Sequence, residues 1–403
     1  MSGSNKCPLI PKLRFPEFRD AGEWREKKLG DCLDYQQPTA YLVSDTNYKD
    51  SYETPVLTAG KTFVLGYTNE KNGIYSENLP VIIFDDFTTA SKFVDFPFKA
   101  KSSAMKILQA KKGVNIRFIY EIMQMISYEV GGHERHWISK FASMSILLPQ
   151  PMEQQKIANC LSSLDELITA ETHRQNALKN YKKGLIQQLF PHEGKDLPCL
   201  RFSEFSHSKP WKKEVISNLL EKVINPVNVE ANKAYREIGI RSHGKGVFHK
   251  APILGAALGN KRVFWVEENV LMVNIVFAWE QAIAITSSAE NGMIASHRFP
   301  MYRPKQKIDL RFLKYLFLTA KGKELLGIAS PGGAGRNKTL GQKEFEKLEL
   351  LIPEDIQEQT AIADVISAFD NLLEIQGQKI DALKAHKRGL MQQLFPMFDE
   401  VYA

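Results

Sequence analysis

The sequence predicts an α+β protein: two similar globular domains joined by two long antiparallel helices that form a coiled coil. Three features support this prediction. A long helical segment occurs twice, a short aromatic box occurs twice, and apolar residues in the long segments follow a heptad spacing. A chain duplicated in this way is expected to form two halves related by a pseudo-two-fold axis that crosses the helix pair.

The aromatic box precedes each globular stretch. It reads Leu13-Arg-Phe-Pro-Glu-Phe18 in the first copy, followed by Trp24, and Leu200-Arg-Phe-Ser-Glu-Phe205 in the second copy, followed by Trp211. Because the box returns with its following tryptophan, we expect both globular domains to begin in the same way.

The long segment runs from Gln154 to Pro191 and again, aligned without a gap, from Gln359 to Pro396. Each copy follows a proline, carries acidic residues in its first turn that complement a helix N-terminus, and stops at Leu-Phe-Pro. The first copy places apolar residues on a heptad seam that is interrupted at Glu171, Gln175 and Lys182; its apolar positions are Ile157, Leu161, Leu164, Ile168, Leu178, Leu185 and Leu189. That spacing predicts a coiled-coil seam.

A helix of roughly 37 residues is about 55 Å long at about 1.5 Å per residue, so short neighbouring elements cannot cover it. The two helices are therefore expected to pair with each other, with a coiled coil between two chains as the alternative. An axis near His173 and Gln378 predicts an antiparallel register. Its contacts are Ile157 near Leu394, Ile168 near Leu383, and Gln175 opposite Gln376.

The two variable stretches, roughly 25–150 and 212–352, share little sequence but follow one plan. Each has a strand-like run, a helix that begins Arg-Phe, a double glycine and a final strand that leads into the proline before the long helix. The predicted division of the chain is 1–150 for the first box and globular domain, 151–192 for the first helix, 193–353 for the second box and globular domain, and 354–403 for the second helix and tail.

Composition limits the function classes only broadly. The 403 residues suit two or three domains, and a net charge of +7 suits a nucleic-acid partner, although many unrelated proteins share it. The four cysteines form no Cys-x-x-Cys pair, so we expect no zinc site and a reducing, cytoplasmic location. The N-terminus has no apolar leader and the longest apolar run is too short to span a bilayer, so no membrane contact is expected.

The paired boxes, the Gln-x-x-Ile-Ala helix starts and the Lys-x-Gly-Leu-x-Gln-Gln-Leu-Phe-Pro helix ends resemble the specificity subunits of type I restriction-modification systems. The resemblance covers essentially the whole chain. It implies that each globular domain reads one half of a split, asymmetric DNA target. It also implies that the helices set the spacing and dock two modification subunits that methylate adenine, and that restriction subunits with a motor join the full complex.

Candidate contacts to double-stranded DNA are basic or polar residues near glycines, because such positions let side chains and backbone approach base edges and phosphates. The candidates are Lys61, His133, Arg135, His136, Arg241, His243, Lys245, Lys261, Arg262, Arg298, Arg336, Asn337 and Lys338. For most of them the alternative is an ordinary solvated loop.

Three motifs invite other interpretations. Ala59-Gly-Lys-Thr62 suggests a phosphate-binding loop, but the glycine required five residues earlier is Pro55, so a glycine turn with an exposed lysine is favoured. In segment 133–137 the two histidines, His133 and His136, are three residues apart, whereas a zinc-binding helix requires four. DNA contact and a structural loop are therefore both favoured over a metal site. Asp85-Asp86 is not followed by the glutamate-x-lysine that usually accompanies a nuclease carboxylate pair, so a hairpin turn or a cytosine contact is favoured.

We expect no catalytic residues, metal or cofactor, because the sequence lacks an Asn-Pro-Pro-aromatic or Asp-Pro-Pro-aromatic motif and a helicase nucleotide-binding set. Residues identical in both copies suit either internal packing or two copies of one partner, and the partner role is favoured. Those candidates are Phe15, Phe202, Lys182, Phe190, Lys387 and Phe395. The competing function is a protein-binding scaffold with a coiled-coil spacer.

Overall fold

The computed structural model describes residues 9–58, 62–126, 128, 136–332 and 338–396. The chain divides into two compact units. Unit 1 comprises Met1–Thr172 and Lys379–Ala403, and unit 2 comprises His173–Gln378. Both boundaries fall inside the long helices, so each unit contains a part of both helices rather than one helix of its own.

Unit 1 begins with a ribbon and a four-residue helix and ends at the first long helix. Its elements are β1 Arg25–Lys28, α1 Leu29–Cys32, β2 Leu33–Gln36, β3 Thr54–Leu57, β4 Val64–Thr68, β5 Val81–Asp85, β6 Ser91–Val94, β7 Lys99–Ala100, β8 Met105–Ala110, α2 Ile116–Met125, α3 His136–Ser139, β9 Ser145–Leu148 and α4 Pro151–Leu189. β1 pairs antiparallel with β9, the central sheet has the order β2-β8-β5-β6, and a smaller sheet has the order β4-β3-β7.

Unit 2 repeats this plan with more short strands in its middle. Its elements are β10 Lys212–Val215, α5 Ile216–Leu219, β11 Leu220–Val223, β12 Ala234–Tyr235, β13 Ile238–Ile240, β14 Val247–His249, β15 Ile253–Leu254, β16 Val263–Trp265, β17 Leu271–Val273, β18 Ile283–Ile285, β19 Ile294–Ser296, β20 Met301–Pro304, α6 Leu310–Leu318, α7 Ala320–Ile328, α8 Gln342–Glu346, β21 Glu349–Ile352 and α9 Ile356–Leu394.

The two units have the same framework. In unit 2 the ribbon is β10–β21 and the central sheet has the order β11-β20-β17-β18, matching β1–β9 and β2-β8-β5-β6 of unit 1. The helices α2 and α6 both begin with one aliphatic residue followed by Arg-Phe, and each is capped by a side chain that accepts backbone N–H: Asn115 from Phe118 in unit 1, and Asp309 from Arg311 and Phe312 in unit 2. The prediction that the two variable stretches share one α+β fold is therefore confirmed.

The long helices run antiparallel within each unit. In unit 1, Lys379 pairs with Glu171 and Lys387 with Asp165, so the partner number falls as the helix advances. In unit 2, Gln175 lies against Gly377 and Lys182 pairs with Asp370, with the same direction. The antiparallel pairing within one chain is thus confirmed.

The register also agrees with the sequence prediction. Ile157 and Leu394 belong to one buried cluster of unit 1. The ion pairs at Asp165 and Glu171 bracket the predicted Ile168–Leu383 contact, and Gln175 approaches Gly377, the neighbour of the predicted Gln376.

Each unit has a core where the sheet, the short helices and the long helices meet. In unit 1 it contains Trp24, Phe118, Trp137 and Phe395, and in unit 2 it contains Trp211, Phe312, Phe345 and Phe190. Within the part of the chain that the structure describes, no helix has the length and apolar character needed to cross a membrane.

Candidate nucleic-acid interface

The repeated box is fastened to the first turn of a long helix. In unit 1 the guanidinium of Arg14 donates two hydrogen bonds of 2.7 Å to the two carboxylate oxygens of Glu153, and the indole N–H of Trp24 donates to the same carboxylate at 3.3 Å. Glu153 is buried, and the fork of an arginine matches a carboxylate in two places. We call this group, Arg14, Glu153 and Trp24, the clamp of unit 1.

Unit 2 contains the same clamp. Arg201 donates to Glu358 at 2.8 and 2.7 Å, and the indole N–H of Trp211 donates to it at 3.1 Å. The sequence indicated Glu153 as a charge that favours a helix N-terminus, but in the second copy it indicated Glu354 and Asp355 rather than Glu358, and it did not identify the partners in the boxes. The signal was present, because arginine and tryptophan recur in the box at the same spacing from each other.

The aromatic residues of the repeats form a second matched group. Trp24, Phe118 and Phe395 have ring centroids 5.7, 6.2 and 5.2 Å apart in unit 1. The corresponding rings of Trp211, Phe312 and Phe190 have separations of 5.7, 6.2 and 5.3 Å in unit 2. The box of each unit is therefore packed against the last turn of one long helix and bonded to the first turn of the other.

The repeated lysines also act inside their units. Lys387 contacts the carboxylates of Glu121 at 2.9 Å and Asp165 at 2.7 Å, while Lys182 pairs with Asp370 and lies 5.5 Å from the ring centre of Tyr315. Both ammonium groups are largely buried by these partners.

These positions bear on the six candidate partner contacts. Phe190 and Phe395 are buried, at 5% and 1% exposure, and the half-buried Phe15 and Phe202 pack on the cores of their units. Every one of the six therefore has an internal packing or ion-pairing role, which was the alternative interpretation of the repeat. Contact with a partner subunit remains a prediction.

The candidate DNA contacts divide into three sets. Five of them lie outside the described residues: Lys61, His133, Arg135, Arg336 and Asn337. His136 is described and is buried at 1% exposure, with its Nδ1 3.5 Å from the hydroxyl of Tyr128. The imidazole ring of His136 is thus enclosed by unit 1 and is not accessible to a DNA duplex, which corrects its assignment as a DNA contact. The remaining seven candidates are in unit 2.

Asp85 and Asp86 lie where β5 turns into β6, as the hairpin interpretation predicted. A carboxylate oxygen of Asp85 accepts the N–H of Phe87 at 2.9 Å. Asp86 forms an ion pair of 3.2 Å with Lys106 in which both side chains are 1% exposed, and it accepts the N–H of Trp137 at 2.9 Å. Asp86 is accordingly a buried structural group and not a contact for a base.

Arg241, His243 and Lys245 are brought together on the turn between β13 and β14, and all three are exposed. They line an open groove of about 560 Å³ together with Lys250 and the rings of Phe248, Phe277 and Phe299. Glu280 is the single acidic residue among those that line it, and the hydroxyl of Ser242 donates to its carboxylate at 2.9 Å. The groove therefore combines positive charge with aromatic surface, which suits a nucleic acid.

The other unit 2 candidates surround the β16–β19 ribbon. Arg298 is exposed and follows β19, and the exposed Arg262 precedes β16, where its carbonyl accepts the N–H of His297 at 3.1 Å. Lys261 is 3.7 Å from Glu237, which also binds Lys250. Lys338 is half-buried. Arg298 neighbours Phe299 of the groove, whereas Lys261 is partly neutralised by its ion pair.

The described residues contain no group of three or more histidine, cysteine or acidic side chains arranged to hold a metal ion. The metal interpretation of 133–137 falls mostly on residues that lie outside the described part, and His136 itself is buried against Tyr128.

The family profile of the type I restriction modification DNA specificity domain matches residues 21–180 and 267–385, well over half of the chain. The chain belongs to this family of type I restriction-modification specificity subunits. It supplies specificity and is not one of the catalytic subunits of such a system. The two matched segments contain the clamp tryptophan of unit 1, the whole central sheet of unit 1, the central sheet of unit 2 except β11, and most of both long helices.

Sequence similarity to curated specificity subunits extends over most of the length of this chain. It is 30% identical over 372 residues to the "Type I restriction enzyme EcoR124I/EcoR124II specificity subunit" of Escherichia coli, covering 85% of this chain and 86% of that protein. It is 22% identical to the MjaVIII specificity subunit of Methanocaldococcus jannaschii, covering 95% and 93%.

Among solved structures, the type I restriction-modification S subunit from M. genitalium superposes with a TM-score of 0.63 at 13% identity and covers 97% of this chain and 100% of that one. At that identity the likeness concerns the fold alone.

Proposed function

We propose that each unit reads one half of a bipartite, asymmetric DNA target, and that the long helices fix the spacing of the two halves. One observation carries this proposal: the units share their clamp, aromatic group and central sheet, while the surfaces built on that framework differ. A common framework with different surfaces suits two readers that bind the same kind of ligand but recognise different sequences.

The groove of unit 2 provides the chemistry expected of one reader. Arg241, His243 and Lys245 can donate to phosphates and base edges, and the phenylalanine rings can contact sugars or thymine methyl groups. In unit 1 the β3–β4 hairpin is the counterpart in chain order, and Lys61, outside the described residues, falls between these two strands in the sequence. The two turns have different sequences, so we expect different half-sites, about one helical turn of DNA apart.

We further propose that the specificity subunit docks two modification subunits that methylate adenine, in the cytoplasm, and that restriction subunits with a motor join the full complex. The internal duplication supports two modification subunits per chain, because equivalent surfaces on the two units would bind two copies of one partner. Phe15 and Phe202 are half-buried and keep some surface for such contact, whereas Phe190 and Phe395 are enclosed.

Sequencing of methylated adenines tests this proposal. The specificity subunit is supplied with its modification subunit to a host that lacks other methylation, and the modified motif is read from the genome. Exchanging residues 25–150 for those of a relative should change one half of the motif. The matched exchange of residues 212–352 should change the other half.

A motif that changes in both halves after a single exchange, or a symmetric motif for the natural chain, would contradict modular reading. Binding to DNA should also weaken steeply as salt rises, because phosphate contacts release counterions. Insensitivity to salt would favour the protein-binding scaffold instead.

A further inference from the structure

We propose that Arg241 reads a guanine in the half-site bound by unit 2, and that Phe248 is the positioning residue that orients its guanidinium. This proposal rests on the proposed function and identifies one specificity determinant within it. Arginine with both ends of its fork on the O6 and N7 of guanine is the commonest specific contact in the major groove.

The first observation is that Arg241 is oriented but not neutralised. Its guanidinium lies 5.0 Å from the ring centre of Phe248 and donates to the carbonyl of Val247 at 3.3 Å. Among the described residues two arginines contact an aromatic face in this way, Arg241 and Arg117. Arg117 is also bound to Glu121 and Asp165, while no carboxylate of the described chain pairs with Arg241. Most of its five N–H donors are thus free for a ligand.

The second observation is that the hairpin makes room for this arrangement. Phe248 is directly opposite Gly239 in the β13–β14 register. A Cβ atom on Gly239 would lie 2.3 Å from Cζ of Phe248, so a side chain at position 239 would displace the ring from its place on the hairpin. The glycine lets the ring lie flat along the hairpin, beside the arginine two residues later.

The third observation is that the turn itself is fixed. His243 and Gly244 adopt positive φ angles of 61° and 62°, and their N–H groups donate to the carbonyls of Glu280 at 2.8 Å and Gln281 at 3.0 Å. A Cβ on Gly244 would lie 2.5 Å from Leu318, which shows how closely the turn packs on the end of α6. A reader whose backbone is held in this way loses little conformational entropy when it binds.

The fourth observation is the groove that the guanidinium faces. It is lined by Phe277, which comes from the segment after β17 and is 41% exposed. It is also lined by more basic residues, Arg241, His243, Lys245 and Lys250, than acidic ones, of which Glu280 is the single example. An exposed phenylalanine in the same groove as the arginine offers an apolar contact for a base pair, so sequence recognition in this groove does not depend on charge alone.

The experiment uses the complete complex of the specificity subunit with its modification subunits. Its target is first defined from the methylated genome, and binding is then measured to duplexes that carry each single base-pair change. Arg241→Lys keeps the charge but removes the two-pronged fork. We expect it to lose preference at one guanine of the unit 2 half-site by about 10-fold to 100-fold, with the other half-site and binding to unrelated DNA unchanged.

Phe248 is tested by two replacements that separate orientation from packing. Phe248→Leu should lower the same preference by about 2-fold to 5-fold, because the cation–π contact is lost. Pentafluorophenylalanine at position 248 keeps the ring but removes the negative character of its face, and it should have a similar effect without changing the thermal unfolding midpoint. Arg303→Lys is the matched control, since Arg303 is an exposed arginine of the same unit held by Glu267 at 2.6 Å.

The outcomes separate the inference from the proposed function. An Arg241→Lys complex that discriminates as well as the natural one overturns the inference, and so does equal weakening on all duplexes, which identifies a phosphate contact. Loss of preference in the Arg303→Lys control also overturns it, since the effect would then not be particular to position 241. A natural complex without any split target overturns the proposed function itself.

Discussion

Unit 1 and unit 2 share the framework that joins the box, the central sheet and the long helices, and they differ in the segments built on it. The clamp has the same three residue types in both, and the aromatic separations agree to 0.1 Å. By contrast, unit 2 has the β12 to β16 strands where unit 1 has the β3–β4 hairpin, and its groove is built on the β13–β14 turn of that segment. The comparison shows that the sequence repeat belongs to the framework, while the surfaces were free to diverge.

The largest expected effect concerns the clamp. Glu153→Ala leaves the buried guanidinium of Arg14 and the indole N–H of Trp24 without their acceptor, so unit 1 should lose about 3–5 kcal/mol of unfolding free energy. Glu358→Ala should cost unit 2 the same amount. Urea unfolding gives the totals, and hydrogen exchange assigns each loss to its unit. A difference above about 1.5 kcal/mol between the variants would show that the two clamps are not equivalent.

The next effect should distinguish the units. Lys387 lies between Glu121, which has 0% side-chain exposure, and Asp165, whereas Lys182 pairs with an Asp370 that is 43% exposed. Lys387→Met should therefore cost about 2 kcal/mol, since Arg117 still compensates Glu121 in part. Lys182→Met should cost about 1 kcal/mol or less because solvent screens its partner.

Thermal unfolding of the two methionine variants measures this difference directly. Equal losses would mean that burial at Glu121 has no energetic consequence. Retained stability with loss of the modification subunit during purification would instead restore the partner role expected for these lysines.

The smallest effect concerns the caps of α2 and α6 and depends on pH. Burial alone would raise the pKa of Asp309, but hydrogen bonds from the side chain and N–H of Arg311 outweigh it and hold that pKa below its ordinary value. The ionised Asp309 carboxylate therefore contributes its full stabilisation of folded unit 2 above the unfolded pKa of about 3.9. This contribution is lost as the pH falls through the lower pKa that Asp309 has in the folded state. Asn115 caps the equivalent helix of unit 1 without a titrating group.

Asp309→Asn should therefore cost unit 2 about 1 kcal/mol at neutral pH, and this cost should shrink as the pH falls below about 4. Asn115→Asp is the matched change in unit 1 and should introduce acid sensitivity there. Urea unfolding at several pH values follows both variants. A cost of Asp309→Asn that stays constant down to pH 2 would show that the cap does not titrate.

Most of the architecture was accessible from the sequence. The repeats predicted two units of one fold, the prolines and heptads predicted the long helices, and the seam spacing predicted their antiparallel register. Such features are local or periodic, and capping, proline and apolar spacing act on the backbone within a few residues. The turn at Asp85 was predictable for the same reason.

Tertiary structure alone decided what the repeated side chains do. Arg14 meets Glu153 across 139 residues of chain, and Lys387 meets Asp165 across 222, so no local pattern could pair them. The burial of His136 and the position of Arg241 over Phe248 also follow from how distant or facing segments pack. A side chain's type fixes which bonds it can form, but burial and the neighbours supplied by the fold determine which bonds it does form.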